Sequence, residues 1–211
     1  MNSDGMLQLP IRFVHETLGL TPNQISAAGF IVGIAAALTV AAGFVLPGLI
    51  LLALSQIIDG LDGGVARRYN LQSERGQMLE VIFDRLNEAA IFFALAYIGQ
   101  VTYVITILAI VAILLVTVIE PISKFDPGFK RFMLYFGYLA GIIFHIRGFQ
   151  IALNVVFFSN LIAFALGTIL VDYRFQKEID TEAILRRERE LELGIPQPPD
   201  DPPSFLSRLF A

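Results

Sequence analysis

The stretch DGLDGGVARRYNLQSERGQMLEVIFD, residues 59–84, begins inside one apolar run and ends inside the next. It places Asp59, Asp62, Glu80 and Asp84 where a membrane helix normally carries no charge. A carboxylate at the centre of such a helix costs about 2.5 to 3.5 kcal/mol to insert, so the four together would cost on the order of 10 kcal/mol. The chain must therefore contain something that offsets this cost.

The spacing of the four carboxylates predicts a metal site. Asp59 and Asp62 are three residues apart and Glu80 and Asp84 are four apart, so each pair shares one face of its helix. A tight turn between the two helices would bring the pairs together. Hard oxygen donors that face each other are the ligands that Mg²⁺ or Mn²⁺ prefers, and this set could hold two ions.

Glycines and an arginine lie between the two pairs. Gly60, Gly63 and Gly64 each cost a helix about 1 kcal/mol relative to alanine, which is reasonable where a ligand must approach the backbone closely. Arg67 follows Gly63 by one turn and can hold phosphate oxygens in a fork. Two metal ions and an arginine are the equipment of phosphoryl transfer. The alternative is a set of structural ion pairs between the carboxylates and the neighbouring arginines.

The same residues resemble the signature of the CDP-alcohol phosphotransferases, also called CDP-alcohol phosphatidyltransferases, D-x2-D-G-x2-A-R-x8-G-x3-D-x3-D. One position departs from the signature, because its third aspartate is Glu80 in this chain. The carboxylate is kept on a longer stem, which changes its reach toward a metal ion. The positions that match at the right separations are Asp59, Asp62, Gly63, Ala66, Arg67, Gly76 and Asp84.

The resemblance implies roles for individual residues. Asp84 would be the catalytic base, and it would share the metal ions with Asp59, Asp62 and Glu80. The cytidine diphosphate of the donor would lie against the two carboxylate-bearing helices. The expected donor-binding residues are Asn23, Asp59, Asp62, Gly63, Ala66, Arg67, Ser73 and Gly76. Ser73 has an equally good alternative role as the N-cap of the following helix.

Further cations are predicted to lie on the same membrane face as the carboxylates. Lys130 and Arg131 are candidates for binding a phosphate or carboxylate of the acceptor alcohol, and Lys124 is more typical of ordinary anchoring at the membrane surface. Arg85 follows Asp84 and is expected to extend to the lipid headgroups.

Composition indicates an integral membrane protein. The chain has 211 residues, of which 55% are hydrophobic, with no Cys and no Trp. Its apolar residues are concentrated in runs of about 20, the length that crosses a bilayer core. A formal net charge of -4 and the lack of a separate basic stripe argue against nucleic acid as a partner.

We predict an all-α fold of six transmembrane helices in a domain covering residues 21–175. Residues 1–20 are expected to form a juxtamembrane amphipathic helix at the interface. Residues 176–211 form a charged and proline-rich tail with a short solvated helix ending near residue 193. The predicted spans are 22–44, 46–67, 76–98, 101–119, 130–146 and 149–173, with a polar connection at 120–129.

The distribution of cations predicts the orientation. With these spans, 14 of the 15 Lys and Arg residues lie on the face that carries the N-terminus, and Arg147 alone lies on the other. Positive residues favour the cytoplasmic side. Both termini and the carboxylate site are therefore expected to face the cytoplasm.

The resemblance and the site together predict a metal-dependent enzyme of phospholipid synthesis. It would transfer a phosphatidyl or other substituted phosphoryl group from a CDP-linked lipid to a small alcohol and release CMP. The resemblance also implies a homodimer. Two other functions are considered: a catalytically impaired relative that binds CDP-lipid or metal, and an ion-coupled transporter. Carboxylates on one side of the bilayer alone argue against the transporter.

Overall fold

The computed structural model describes Val14, Glu16 and residues 18–193, and this part of the chain is helical with no β-strand. The six helices are α1 (Pro22–Ala41), α2 (Val45–Arg68), α3 (Glu74–Tyr97), α4 (Tyr103–Ser123), α5 (Phe132–Phe144) and α6 (Gly148–Glu192). Most of the predicted interfacial helix at 1–20 and the proline-rich end of the tail lie outside the described residues. The all-α prediction is confirmed for the described part of the chain.

Local sequence explains where the first three helices begin. Thr21 precedes α1, and its backbone N–H donates to Gln24 Oε1 at 2.9 Å, while Pro22 occupies the first turn. Gly43, with φ of +91°, lies in the turn before α2. At the start of α3, the Gly76 N–H donates to Ser73 Oγ at 3.1 Å, as in an N-cap.

α1 packs against both α2 and α3 through small residues. Its buried positions recur every three or four residues and include Gly29, Gly33, Ala36 and Ala37. Small residues on one helix face allow neighbouring backbones to approach closely. In the interface between α1 and α3, Phe30 of α1 stacks on Phe83 of α3 with 4.7 Å between ring centroids. This packing places the start of α1 beside the end of α2 and the start of α3.

Four of the six helices are long and apolar enough to cross a bilayer: α1, α2, α4 and α6. α5 has 13 residues and rises only about 20 Å, less than the hydrocarbon thickness. α3 has 24 residues, but Glu80, Asp84, Arg85 and Glu88 make its first half polar. The prediction of six spans is thus supported at four helices.

Three predicted helix boundaries, in α4 and α5, are wrong. α4 continues through Pro121 to Ser123, so the polar connection begins later than residue 120. The C-cap of α4 is Lys124, which has a left-handed conformation with φ of 58°. α5 begins at Phe132 rather than 130, with Arg131 as its N-cap, and ends before His145.

α6 is a single helix of 45 residues, so the prediction that one helix ends near 173 and a separate solvated helix follows it is wrong. Between residues 168 and 192 the sequence has no Pro or Gly, and the change at 176 is one of polarity alone. Glu, Lys, Arg, Leu and Ala all favour the helix. The chain divides into two compact units, 1–167 and 168–211, and the described part of the second is the exposed C-terminal portion of α6.

Candidate active site

A cleft of about 490 Å³ lies where the start of α1, the end of α2 and the start of α3 meet. Seven of the eight predicted donor-binding residues line it, and Glu80 lines it as well. Asp59 is the exception. Because these residues come from three helices and one turn, the fold brings together what the sequence separates. The seven are Asn23, Asp62, Gly63, Ala66, Arg67, Ser73 and Gly76.

Asp62 is the most buried carboxylate of the signature, with 2% of its surface exposed. One of its oxygens accepts a hydrogen bond from Ser26 Oγ of α1, and the other lies against the backbone N–H of Gly63. Ser26 was not among the predicted site residues. It follows the predicted residue Asn23 by three positions, so the shared helix face was the signal that could have identified it.

Arg67 folds back over Gly63. A β-carbon added to Gly63 would lie 3.2 Å from Arg67 Nη1, so the glycine gives the guanidinium room. Among the described residues, neither Arg67 nor Glu80 has an ion pair or side-chain hydrogen bond. A fork-shaped cation and a carboxylate are therefore both available in one cleft.

The glycines of the stretch differ in their surroundings. A β-carbon at Gly76 would lie 3.1 Å from both Asn23 Oδ1 and Ser73 Oγ, so this glycine keeps the end of the cleft open. A β-carbon at Gly60 would meet nothing within 4 Å. The expected close approach at Gly60 therefore has no counterpart within the described chain. Ser73 acts as the N-cap of α3, and its contact with the donor stays a prediction.

Asp59 and Asp84 share one guanidinium. Arg131 Nη1 donates to Asp59 Oδ2 at 2.9 Å, and Arg131 Nη2 forms an ion pair with Asp84. Arg131 Nε lies 3.6 Å from Glu88 Oε1. The predicted acceptor-binding residue thus neutralises two of the predicted metal ligands. This arrangement offsets part of the cost of burying their charges.

The four signature carboxylates do not form a ready metal site in the described structure, where no three acidic or imidazole side chains converge as ligands. Their oxygens are hard donors of the kind that Mg²⁺ and Mn²⁺ prefer, and Glu80 has no competing partner among the described residues. Arg131 engages one oxygen of each of Asp59 and Asp84, so an ion would share these carboxylates with the guanidinium or displace it. The donor set fits a divalent ion by its chemistry, and the ligand assignments stay predictions.

A second cavity, of about 510 Å³, is lined by Asp84. Both predicted acceptor-binding residues line it, and each is paired with a carboxylate: Lys130 Nζ lies 2.8 Å from Asp126 Oδ1. Only 4% of Lys130 is exposed, which excludes simple anchoring at the headgroups. The charged side chains of this cavity are Asp84, Arg85, Glu88, Asp126, Lys130 and Arg131.

Arg85 and Glu88 complete the second cavity and were missed by sequence reasoning. Arg85 Nη1 lies 2.8 Å from Glu88 Oε2, and the arginine side chain is 15% exposed, so the expected extension to the headgroups is wrong. Glu88 is one turn after Asp84 on the same face of α3, a spacing that could have identified it.

Three comparisons describe what the chain is similar to. A family model for the CDP-alcohol phosphatidyltransferases matches residues 19–170, which includes both cavities. The archaetidylinositol phosphate synthase of Pyrococcus horikoshii is 34% identical over 95 residues, covering 45% of this chain and 50% of the relative. The inner membrane protein YnjF of Escherichia coli is 36% identical over 75 residues, or 36% of each chain.

A third relative, the bifunctional IPC transferase and DIPP synthase of Thermococcus kodakarensis, is 40% identical over 78 residues, covering 37% of this chain and 18% of that protein. The chain thus spans half or less of the length of these relatives.

Solved structures share the fold. The phosphatidylinositol phosphate synthase of Mycobacterium tuberculosis in complex with manganese and citrate has a TM-score of 0.66 at 18% identity, covering 77% of this chain and 87% of that one. The same protein with CDP-DAG bound has a TM-score of 0.58 at 19% identity, with coverages of 79% and 90%.

Proposed function

Because the chain belongs to the CDP-alcohol phosphatidyltransferase family, we propose that it transfers a substituted phosphate group from a CDP-linked lipid to an alcohol and releases CMP. The observation that carries the proposal is the cleft in which Asn23, Asp62, Gly63, Arg67 and Glu80 come together. It combines an available guanidinium, hard oxygen donors and space against a glycine. A bound diphosphate needs all three.

Each part of the donor site has a task that its chemistry allows. Arg67 would hold oxygens of the diphosphate in its fork, over the backbone at Gly63. Ser26 keeps Asp62 oriented toward the cleft from α1. Mg²⁺ or Mn²⁺, held by Asp59, Asp62, Glu80 and Asp84, would neutralise the charge that develops on the phosphates. A manganese-bound and a CDP-DAG-bound structure of the same fold support this choice of metal and donor.

Asp84 is the proposed base, because it lies on α3, which also contributes to the first cleft, and lines the second cavity. The oxygen of the acceptor hydroxyl forms a new bond to the β-phosphorus, and the bond from that phosphorus to the oxygen bridging to CMP breaks. The hydroxyl proton passes to the Asp84 carboxylate, and CMP leaves with the bridging oxygen. Arg131 pairs with one oxygen of Asp84, so the proton would pass to the other oxygen, or to either one after Arg131 has moved away.

The second cavity supports an anionic acceptor. Arg85, Lys130 and Arg131 line it, and each is balanced by a carboxylate that an incoming phosphate could replace. Two of the relatives carry the name archaetidylinositol phosphate synthase. We therefore place phosphorylated polyols such as inositol phosphate first among the acceptors.

The proposed setting is a multi-pass membrane protein whose site faces the cytoplasm, as 14 of the 15 Lys and Arg residues favour. A homodimer is part of the proposal and is tested by cross-linking in membranes.

The second function considered is a relative that binds CDP-lipid without turnover, which Glu80 and the pairing of Arg131 with Asp59 and Asp84 favour.

The decisive experiment is CMP release by the purified chain. CDP-diacylglycerol is supplied with Mg²⁺ or Mn²⁺ and a panel of acceptors: inositol phosphate, glycerol phosphate, serine and inositol. We expect metal-dependent release that EDTA abolishes and that Asp84→Asn abolishes while the protein still folds and inserts. Glu120→Gln, in α4 and lining neither cavity, is the matched control. Near-normal turnover by Asp84→Asn would refute the role of the base, and binding of the donor without CMP release would favour the impaired relative.

A further inference from the structure

One guanidinium is shared by three carboxylates from two helices. Arg131 reaches Asp59 on α2, and Asp84 and Glu88 on α3. Asp59 and Asp84 belong to the signature that predicts the metal site, and Glu88 does not. Arg131 therefore contacts two predicted metal ligands and one carboxylate that has no predicted role.

A divalent ion and Arg131 compete for the same two carboxylates. The guanidinium nitrogens Nη1 and Nη2 each engage one oxygen, of Asp59 and of Asp84 respectively, and both residues are predicted metal ligands. The like charges of the ion and the guanidinium repel each other at this separation. Binding of an ion by both carboxylates is therefore opposed while Arg131 stays paired with them, and a buried arginine that leaves them needs another counter-ion.

Glu88 is placed to be that counter-ion. Its side chain is 5% exposed, and its two oxygens face different arginines. Oε2 is 2.8 Å from Arg85 Nη1, and Oε1 is 3.6 Å from Arg131 Nε, a distance that a small movement would close to a hydrogen bond. Glu88 and Arg131 also line the second cavity together. A guanidinium held by Glu88 would thus remain in that cavity.

We propose that Glu88 is a positioning residue that receives Arg131 when divalent ions take Asp59 and Asp84 from it. In the structure Arg131 is the cation that pairs with these two carboxylates. On metal binding its ion pair passes to Glu88, and the guanidinium is left facing the second cavity, free of the metal ligands. The inference rests on the proposed function in one respect, since it takes Asp59 and Asp84 to be metal ligands.

The test measures the Mn²⁺ affinity of the purified chain. Electron paramagnetic resonance reports the bound Mn²⁺, with neither donor nor acceptor present. Arg131→Gln removes the competing cation and is expected to tighten Mn²⁺ binding about tenfold. This factor corresponds to the net free energy of one charge-assisted hydrogen bond. Glu88→Gln removes the alternative counter-ion, so Arg131 stays on Asp59 and Asp84 and Mn²⁺ binding weakens about tenfold.

The double variant separates positioning from a simple electrostatic effect. If Glu88 acts through Arg131, adding Glu88→Gln to Arg131→Gln changes Mn²⁺ affinity by less than about twofold. The same loss in both backgrounds would show that Glu88 acts directly on the ion and would overturn the proposal. Unchanged or weaker Mn²⁺ binding by Arg131→Gln, or no Mn²⁺ binding by any variant, would also overturn it.

Two controls test whether these changes in Mn²⁺ affinity are specific and whether the variants are folded. Glu120→Gln, on α4 and away from both cavities, is expected to bind Mn²⁺ as the parent chain does. Size-exclusion profiles establish that each variant folds. If Glu88→Gln does not fold, Glu88→Asp is compared in the parent and Arg131→Gln backgrounds. The shorter side chain moves the counter-ion away from Arg131, so Mn²⁺ binding should weaken in the parent chain and change by less than about twofold in Arg131→Gln. Equal changes in both backgrounds would overturn the proposal.

This experiment and the CMP-release assay fail independently. Metal-dependent CMP release together with uncoupled effects of Glu88 and Arg131 would overturn the positioning role and leave the proposed function intact. Coupled Mn²⁺ binding without CMP release from any CDP-linked lipid would leave the positioning role intact and overturn the transferase.

Discussion

Ser26 in α1 donates a hydrogen bond to the carboxylate of Asp62 in α2, and both residues are buried. This contact joins the helix that carries Asn23 to the helix that begins the signature. It also leaves one Asp62 oxygen committed to α1 and the other beside the Gly63 N–H. The orientation of a predicted metal ligand is therefore set by a residue 36 positions away.

Ser26→Ala should destabilise the protein and disorder the donor cleft. It leaves a buried carboxylate without its side-chain donor, at a cost of about 1 to 3 kcal/mol. The measurement is thermal or denaturant unfolding in detergent, with the Mn²⁺ affinity as a second readout. Ser159→Ala is the matched control, since the Ser159 hydroxyl donates to the Val156 carbonyl of its own helix. Equal effects of the two substitutions would contradict the assignment.

Gly33→Ala should disrupt the contact between α1 and α3. A β-carbon at Gly33 would lie 2.4 Å from the amide of Asn87, which is 1% exposed and cannot easily turn away. Overpacking of this kind costs about 1 to 3 kcal/mol, more than the roughly 1 kcal/mol that alanine gains in helix propensity. Unfolding in detergent is the measurement.

Gly60→Ala is the control for that substitution, because a β-carbon there meets nothing within 4 Å. It should be neutral or slightly stabilising. Asn87→Ala should partly rescue Gly33→Ala, since neither polar atom of the Asn87 amide has a hydrogen-bond partner among the described residues. A double variant less stable than Gly33→Ala alone would point to a different role for the amide.

Arg67→Lys should weaken binding of the CDP-linked donor. Lysine keeps the charge but loses the planar fork that holds two phosphate oxygens, so we expect the KM for the donor to rise about tenfold. Arg68→Lys is the matched control, because Arg68 lies 6.0 Å from the ring of Tyr69 and lines neither cavity. The measurement is CMP release at varied donor concentration. Equal changes for both substitutions would indicate a general effect of surface charge.

The part of the first cleft that α2 and α3 supply could be predicted, because it is local in sequence. Asp62, Gly63 and Arg67 lie within two turns of α2, and Ser73 and Gly76 begin α3 directly after a short turn. Helical periodicity and the turn then indicate which side chains face each other. These residues line one cleft, whereas the signature residues Asp59 and Asp84 do not line it.

The partners of the carboxylates could not be predicted, because they depend on tertiary packing. Arg131 lies 72 residues from Asp59, and no periodicity connects α5 with α2. A second contact one turn along α5, from Gln56 Nε2 to Tyr135 Oη at 3.1 Å, belongs to the same interface.

The length of α6 differs from the prediction for another reason. The change in polarity near residue 176 predicts a helix end, but no helix-breaking residue occurs there.

Glu80→Asp should leave the rate of CMP release unchanged or raise it. The substitution restores the third aspartate of the signature and keeps a carboxylate in the cleft, where Glu80 has no other partner among the described residues. Glu80→Gln removes the charge and should lower CMP release at least about 100-fold, since changes outside the ligand sphere alone cost about 10 to 100-fold. Glu74→Gln, in the exposed first turn of α3, is the matched control. If Glu80→Gln retained full activity while Glu80→Asp lost it, the length of the side chain rather than its charge would be what the site requires, and Glu80 would not be a metal ligand.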